Sequence, residues 1–204
     1  MLKVGLTGSI GTGKSSVNKL FKELGAYTLD ADKIVHDLLK REDIKKEIEK
    51  HFGNVFDENG NIDRKKLASI VFNNKEKKKI LENIIHPKVR EEINNQIKNI
   101  EKIDKDFIVI VEVPLLIETG SYKDYDIVIV VYAPFEKQLE RLLSKGFSKE
   151  EALKRINSQM SIEEKLKYAD IVINNSSDFE NLKKEVIKAF KQLKELNHER
   201  QKKF

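Results

Sequence analysis

Leu2-Lys3-Val4-Gly5-Leu6-Thr7-Gly8-Ser9-Ile10-Gly11-Thr12-Gly13-Lys14-Ser15 opens the chain as an apolar run, a glycine-rich turn and the start of an amphipathic segment. The run from Leu2 to Thr7 predicts a buried strand. Beyond Lys14 the apolar residues Val17, Leu20, Phe21 and Leu24 recur at helical spacing until Gly25 stops them. Residues 8–15 match G-x-x-x-x-G-K-S/T in full, after a strand and before a helix, which is the context the motif needs. The glycines let backbone N–H groups turn inward around phosphate oxygens with no Cβ in the way. Lys14 can then reach the β- and γ-phosphates, Ser15 can ligate Mg2+, and the helix N-terminus adds a favourable potential. This loop predicts a bound nucleoside triphosphate.

The rest of the chain alternates in the same way. Tyr27-Thr28-Leu29 reads as a second strand, closed by Asp30-Ala31-Asp32. Residues 34–103 read as almost wholly helical, interrupted at 53–63, where Asp63 is a candidate N-cap. His86-Pro87 is expected to start a further helix, because proline fits the first turn and not the interior. Phe107-Ile108-Val109-Ile110-Val111 and Ile127-Val128-Ile129-Val130-Val131-Tyr132 are continuous β-branched runs of the kind buried on both faces of a parallel sheet. Helices are expected at about 135–145 and 149–159, the second opened by the capping box Ser148-Lys149-Glu150-Glu151. Ser161-Ile162-Glu163-Glu164 repeats that device, Ile171-Val172-Ile173 is a last strand, and residues 177–180 cap a C-terminal helix. Such alternation predicts an α/β fold, a doubly wound parallel sheet of about five strands. The nucleotide-binding core takes residues 1–32, 104–134 and 160–204; a helical insert takes 33–103 and a helical flap 135–159.

In open α/β sheets, ligands bind beyond the carboxyl ends of the strands. Asp30 and Asp32 follow strand two, Glu112 follows strand three, and Asn174-Asn175 follow the last strand. Asp32 suits a carboxylate that accepts or aims a hydroxyl proton near a γ-phosphate; it equally suits an N-cap for a helix over 33–39. Glu112 is a candidate Mg2+ or acceptor contact, or a plain strand-end residue. The flap supplies Arg141 and Arg155, each a candidate to close over a γ-phosphate or simply a surface helix residue. His86 reads as a helix cap or an acceptor contact, and His36, His51 and His198 are assigned nothing.

Composition narrows the classes. Among 204 residues, 39 Lys and Arg face 34 Asp and Glu, so the net charge is only +5 and the signs are interspersed along helical stretches. The basic runs Lys77-Lys78-Lys79 and Lys202-Lys203 are short and lack interleaved aromatics, which argues against a nucleic-acid partner. No run approaches the roughly 18 apolar residues that span a bilayer, and the start of the chain lacks the layout of a signal peptide. The absence of cysteine excludes disulfides, zinc–thiolate sites and a Cys nucleophile. The expectation is a cytoplasmic protein with no membrane partner, a monomer rather than an oligomer.

Several short motifs then agree with one family. Val4-Gly5-Leu6-Thr7-Gly8, Asp30-Ala31-Asp32, Ile85-His86-Pro87 and Val113-Pro114-Leu115-Leu116-Ile117-Glu118 come first. Arg155-Ile156 with Gln159-Met160, and Ala169-Asp170 with Val172-Ile173 and Asn175, complete the set. In order and spacing, over residues 2–175, they resemble the dephospho-CoA kinase family. The resemblance implies a P-loop kinase fold whose helical insert is a CoA domain and whose flap is a lid. It implies ATP-dependent phosphorylation of the ribose 3′-hydroxyl of dephospho-CoA, with Mg2+, as the last step of coenzyme A synthesis.

By the same resemblance, Asp32, Lys14 and Arg141 are catalytic. Gly11, Thr12, Gly13, Lys14, Ser15 and Ser16 hold the ATP phosphates with Arg141, and Asn174 and Asn175 lie by the adenine. Thr7, Asp32, His86, Pro114, Leu115 and Leu116 form the acceptor site; Ser15 holds Mg2+, and Glu112 is the candidate second ligand. The chain departs from the family pattern at Lys145-Gly146, where members usually carry Arg-Asp, and at Glu112, where Asp is common. It also reads Asn175-Ser176-Ser177 where a glycine is frequent. The rivals are another small-molecule P-loop kinase, a regulatory switch or nucleic-acid ATPase, and an NTP-binding scaffold without turnover.

Overall fold

The expected strands lie side by side. In the computed structural model, which describes residues 1–72 and 74–202, they form one five-stranded sheet. Its strands are β1 (Leu2–Thr7), β2 (Tyr27–Asp30), β3 (Ile108–Glu112), β4 (Ile127–Tyr132) and β5 (Ile171–Asn174), in the order β2-β3-β1-β4-β5. All four pairings are parallel, with Leu6 opposite Glu112 on one side of β1 and opposite Ile129 on the other. Every residue of β3 is buried, which is why its sequence shows an unbroken apolar run instead of alternation.

The two faces separate by side-chain parity. Val4, Leu6, Ile110, Ile129 and Val131 pack on one face against α1 (Lys14–Glu23) and α9 (Phe179–Gln201), through Val17, Phe21, Val186 and Leu193. Val128 and Val130 point the other way and meet Leu116, Ile117 and, from α8 (Ile162–Leu166), Ile162. Between β4 and α8 lie α6 (Phe135–Ser144) and α7 (Lys149–Asn157). The predicted capping box forms: Ser148 Oγ accepts the Glu151 N–H at 3.2 Å, and the Glu151 carboxylate accepts the Ser148 N–H at 3.0 Å. Gly146 follows α6 at φ 88°, with Phe147 N–H bonded to Leu142 O (3.2 Å) and its own N–H to Leu143 O (2.9 Å). That is a Schellman turn, completed by the contact of Phe147 with Leu142, and it explains the glycine at this position.

The chain divides into two compact units, Met1–Asp30 with Ile100–Phe204, and Ala31–Asn99. The second unit carries α2 (Ala31–Leu38), α3 (Glu42–Phe52), α4 (Arg64–Phe72) and most of α5 (Lys75–Glu101). Its core gathers Ile44, Ile48, Phe52, Val55, Leu67 and Ile85. Asp63 caps α4 as expected, its carboxylate accepting the N–H groups of Lys65 (2.9 Å) and Lys66 (3.1 Å).

One expectation is corrected. No helix starts at His86-Pro87; both residues lie inside α5. An internal proline forfeits a backbone bond and costs about 3 kcal/mol. Buried Ile85 and partly buried Ile80, Leu81 and Ile84 before it and Val89 after it pack on the same core, where full burial of one such side chain is worth about 1.5–3 kcal/mol and partial burial a share of that. Packing on both sides of Pro87 therefore outweighs the local penalty, and His86 caps nothing. Lys203, in the second of the basic runs, and the last residue of the proposed core, 204, lie outside the described residues. No described helix is long and apolar enough to cross a membrane.

Candidate active site

β1 runs into residues 8–13, and α1 leaves from them. Gly13 is the N-cap of α1 at φ 95°, and among the described residues no side chain bonds that cap. The N–H groups of Ser15 and Ser16 lie ahead of the first helical bond, from Val17 N–H to Gly13 O, at the end of a helix that favours an anion. A Cβ at position 13 would come within 2.3 Å of the Asn175 amide nitrogen, so both φ and space demand glycine. Thr12 is fully buried, with its hydroxyl donating to Ser9 O at 2.8 Å. The Lys14 ammonium folds back over the loop and donates to the carbonyls of Gly8 and Ser9, both at 3.1 Å.

β3 delivers Glu112 to the same place. Ser15 Oγ donates to its Oε1 at 3.3 Å and Asn18 Nδ2 to its Oε2 at 3.2 Å. Burial raises the Glu112 pKa, Lys14 opposes that rise, and Asp30 adds to it. Asp30 stands opposite Glu112 in the β2–β3 register. Asn18, one turn beyond Ser15 on α1, is absent from the sequence expectations although the i, i+3 spacing puts it on Ser15's face. Its Oδ1 is buried with no hydrogen-bond partner among the described residues. No group of three or more His, Cys, Asp or Glu gathers among the described residues. The protein's oxygen donors here, one hydroxyl and one carboxylate, suit a hard divalent cation that draws its remaining ligands from phosphate and water.

α6 brings Arg141 to the loop from the other side. Its guanidinium donates to Gly11 O at 3.0 Å, Thr12 O at 3.3 Å and Asn175 O at 2.7 Å. Asn175, just past β5, donates its amide to Thr12 O at 2.8 Å. Burial lowers the Arg141 pKa, but a guanidinium remains charged. Arg155, the other flap arginine, stacks on the Phe147 ring at 4.6 Å instead. Ile10 anchors the loop to the flap by packing with Leu139, Leu142 and Phe147. Its N–H donates to Gln159 Oε1 at 3.0 Å, and Ser9 Oγ donates to Met160 O at 3.2 Å.

The turn after β3 lies against Thr7, whose buried hydroxyl donates to Pro114 O at 3.1 Å. Leu115 is exposed, whereas Leu116 is fully buried in the core beneath the turn. Pro114 O also accepts from Lys165, a residue sequence reasoning missed because Glu163-Glu164-Lys165 reads as a solvated helix face. Ser15 and Ser16 are exposed at the start of α1, and Asn174 is exposed at the end of β5, where its Oδ1 accepts the Ser176 N–H at 3.0 Å. Asp32 and His86 are exposed residues of the Ala31–Asn99 unit. Asp32 lies within the first turn of α2 and does not precede a helix over 33–39 as an N-cap would.

The comparisons with known proteins agree with one another. The model of the CoaE family, described as dephospho-CoA kinase, matches residues 2–181. A dephospho-CoA kinase of Aquifex aeolicus is 48% identical over 195 residues, covering 95% of this chain and 98% of that protein. Among solved structures, a dephospho-CoA kinase from Campylobacter jejuni superposes with a TM-score of 0.70 at 39% identity, covering 95% of this chain and 98% of the other. A Thermus thermophilus protein known as TT1252 superposes with a TM-score of 0.82 at 34% identity, over 92% of this chain and 94% of its own.

Proposed function

The chain belongs to the dephospho-CoA kinase family, and on that premise we propose that it transfers the γ-phosphoryl group of ATP to the ribose 3′-hydroxyl of dephospho-CoA. The products are ADP and coenzyme A, which makes this the last step of coenzyme A biosynthesis. The observation that supports the reading best is the convergence of Lys14, Ser15, Glu112 and Arg141 on one glycine-rich loop.

Gly11, Thr12, Gly13 and Ser16 hold the ATP phosphates through the loop and the start of α1, and Asn174 and Asn175 flank the adenine side. Lys14 and Arg141 exchange their carbonyl partners for phosphate oxygens, because hydrogen bonds between two charged groups are the stronger ones. Mg2+ arriving with ATP supplies charge neutralisation, and Ser15 with Glu112 are the residues that would hold it. Thr7, Pro114, Leu115, Leu116 and His86 are the acceptor contacts in this reading. Asp32 orients the 3′-hydroxyl.

The 3′-oxygen attacks the γ-phosphorus in line as the bond to the β,γ-bridging oxygen breaks. ADP leaves with that electron pair, and the hydroxyl proton passes to the Asp32 carboxylate and then to solvent. Positioning and charge neutralisation supply most of the acceleration. In this reading residues 33–103 are the acceptor domain and 135–159 the lid, whose closure excludes water. The enzyme acts as a cytoplasmic monomer without nucleic acid or membrane. An acceptor panel tests it: dephospho-CoA is expected to be turned over well ahead of nucleoside monophosphates and small hydroxyl metabolites. Preference for any of those would replace the acceptor assignment.

A further inference from the structure

Lys165 on α8 exposes none of its side chain. An ammonium loses its hydration on burial, and a methionine of similar length would fill the space without that penalty. The position must therefore use the charge or the donors. Lys165 Nζ donates to Pro114 O at 2.9 Å and pairs with Glu118 Oε1 at 2.9 Å. Burial lowers its pKa, and Glu118 opposes that shift.

Each of those two partners leads to a different part of the site. Pro114 O is shared with the Thr7 hydroxyl at the end of β1, which fixes the turn after β3 at the point where the phosphate loop begins. Glu118 Oε1 also accepts the Met160 N–H at 3.2 Å. Met160 O in turn accepts Ser9 Oγ, and Gln159 accepts Ile10 N–H. One buried ammonium thus stands where the Pro114-Leu115-Leu116 turn meets the return of the flap onto the phosphate loop.

We propose that Lys165, through its ion pair with Glu118, is a positioning residue for phosphoryl transfer that holds the acceptor-side turn in register with the phosphate loop and the flap's return. This rests on the functional reading above, which places the acceptor against that turn. Lys165 touches neither substrate; it acts through Pro114 and Met160. Losing it lets the turn shift while the N-terminus of α1, where neither of its polar partners Pro114 and Glu118 lies, keeps its grip on ATP.

The test compares Lys165→Met, Glu118→Gln and the double variant with the wild type. Steady-state kinetics with varied dephospho-CoA, MgATP affinity by calorimetry and thermal melting are read side by side. For Lys165→Met the KM for dephospho-CoA is expected to rise about tenfold or more while the MgATP Kd stays within about twofold. The double variant is expected to be no worse than the worse single variant, as for two residues acting as one unit. A folded Lys165→Met enzyme with unchanged KM overturns the proposal, as does an equal weakening of both substrates alongside a lower Tm. If Lys165→Met does not fold, the partly exposed Glu118→Gln decides: a KM raised several-fold supports the proposal and an unchanged one overturns it. Wild-type transfer to dephospho-CoA separates the two levels. Without it the functional reading fails; with it and an unmoved KM in the variants, only the positioning role fails.

Discussion

Arg141 and Asn175 grip the same carbonyl of the phosphate loop. The guanidinium donates to Thr12 O at 3.3 Å and the amide at 2.8 Å, and Arg141 also bonds the Asn175 carbonyl at 2.7 Å. A flap helix and the end of the edge strand β5 are thereby joined through the loop. In the proposed reaction Arg141 changes partners from carbonyl to phosphate, which links its charge to catalysis. Arg141→Ala is expected to lower kcat by about 10³-fold while acceptor affinity changes little. A variant that lost only dephospho-CoA affinity would remove Arg141 from the transition state.

Gly13 carries the other half of that arrangement. At φ 95°, with Asn175 Nδ2 only 2.3 Å from where a Cβ would stand, any side chain must both strain the backbone and displace the amide. Gly13→Ala is expected to lower stability by about 1–3 kcal/mol and to abolish measurable MgATP binding. Thermal melting with and without MgATP checks this. A variant still stabilised by nucleotide as the wild type is would contradict it.

Asp32 is the proposed proton acceptor, placed in the first turn of α2. Asp32→Asn keeps the shape and removes the basicity, so kcat is expected to fall about 10²–10⁴-fold with MgATP binding retained. Unchanged turnover would leave the base unassigned.

Glu112 is buried and held by Ser15 and Asn18, so its carboxylate is fixed beside the hydroxyl proposed to hold Mg2+ with it. Glu112→Gln is expected to raise the Mg2+ concentration for half-maximal activity by about tenfold or more. A Mg2+ titration of the initial rate reads this directly, and an unshifted curve would confine Glu112 to shaping α1.

What the sequence disclosed follows from how local each signal is. The strands were legible because β3 and β4 are buried along nearly all of their length and so carry unbroken β-branched runs. The phosphate loop was legible because its glycine, lysine and serine must stand at fixed offsets, and the family resemblance over 2–175 agrees with the family model's match to 2–181. Pro87 misled because its penalty is local while the packing that overrides it comes from Ile84, Val89 and the α3 residues around them. Lys165 was hidden for the same reason. Its neighbours Glu163 and Glu164 are solvated, and only the fold reveals that the third charge turns inward to Pro114 and Glu118. Strand order had no counterpart in periodicity and required the pairing of β1 with β3 and β4.

The central claim is tested most directly by incubating the enzyme with MgATP and dephospho-CoA, then locating any added phosphate by mass spectrometry and NMR. The account predicts one phosphate gained per ADP released, placed on the ribose 3′-oxygen, and lost in Lys14→Ala. MgATP binding without that product, or a phosphate found elsewhere on the acceptor, would contradict it.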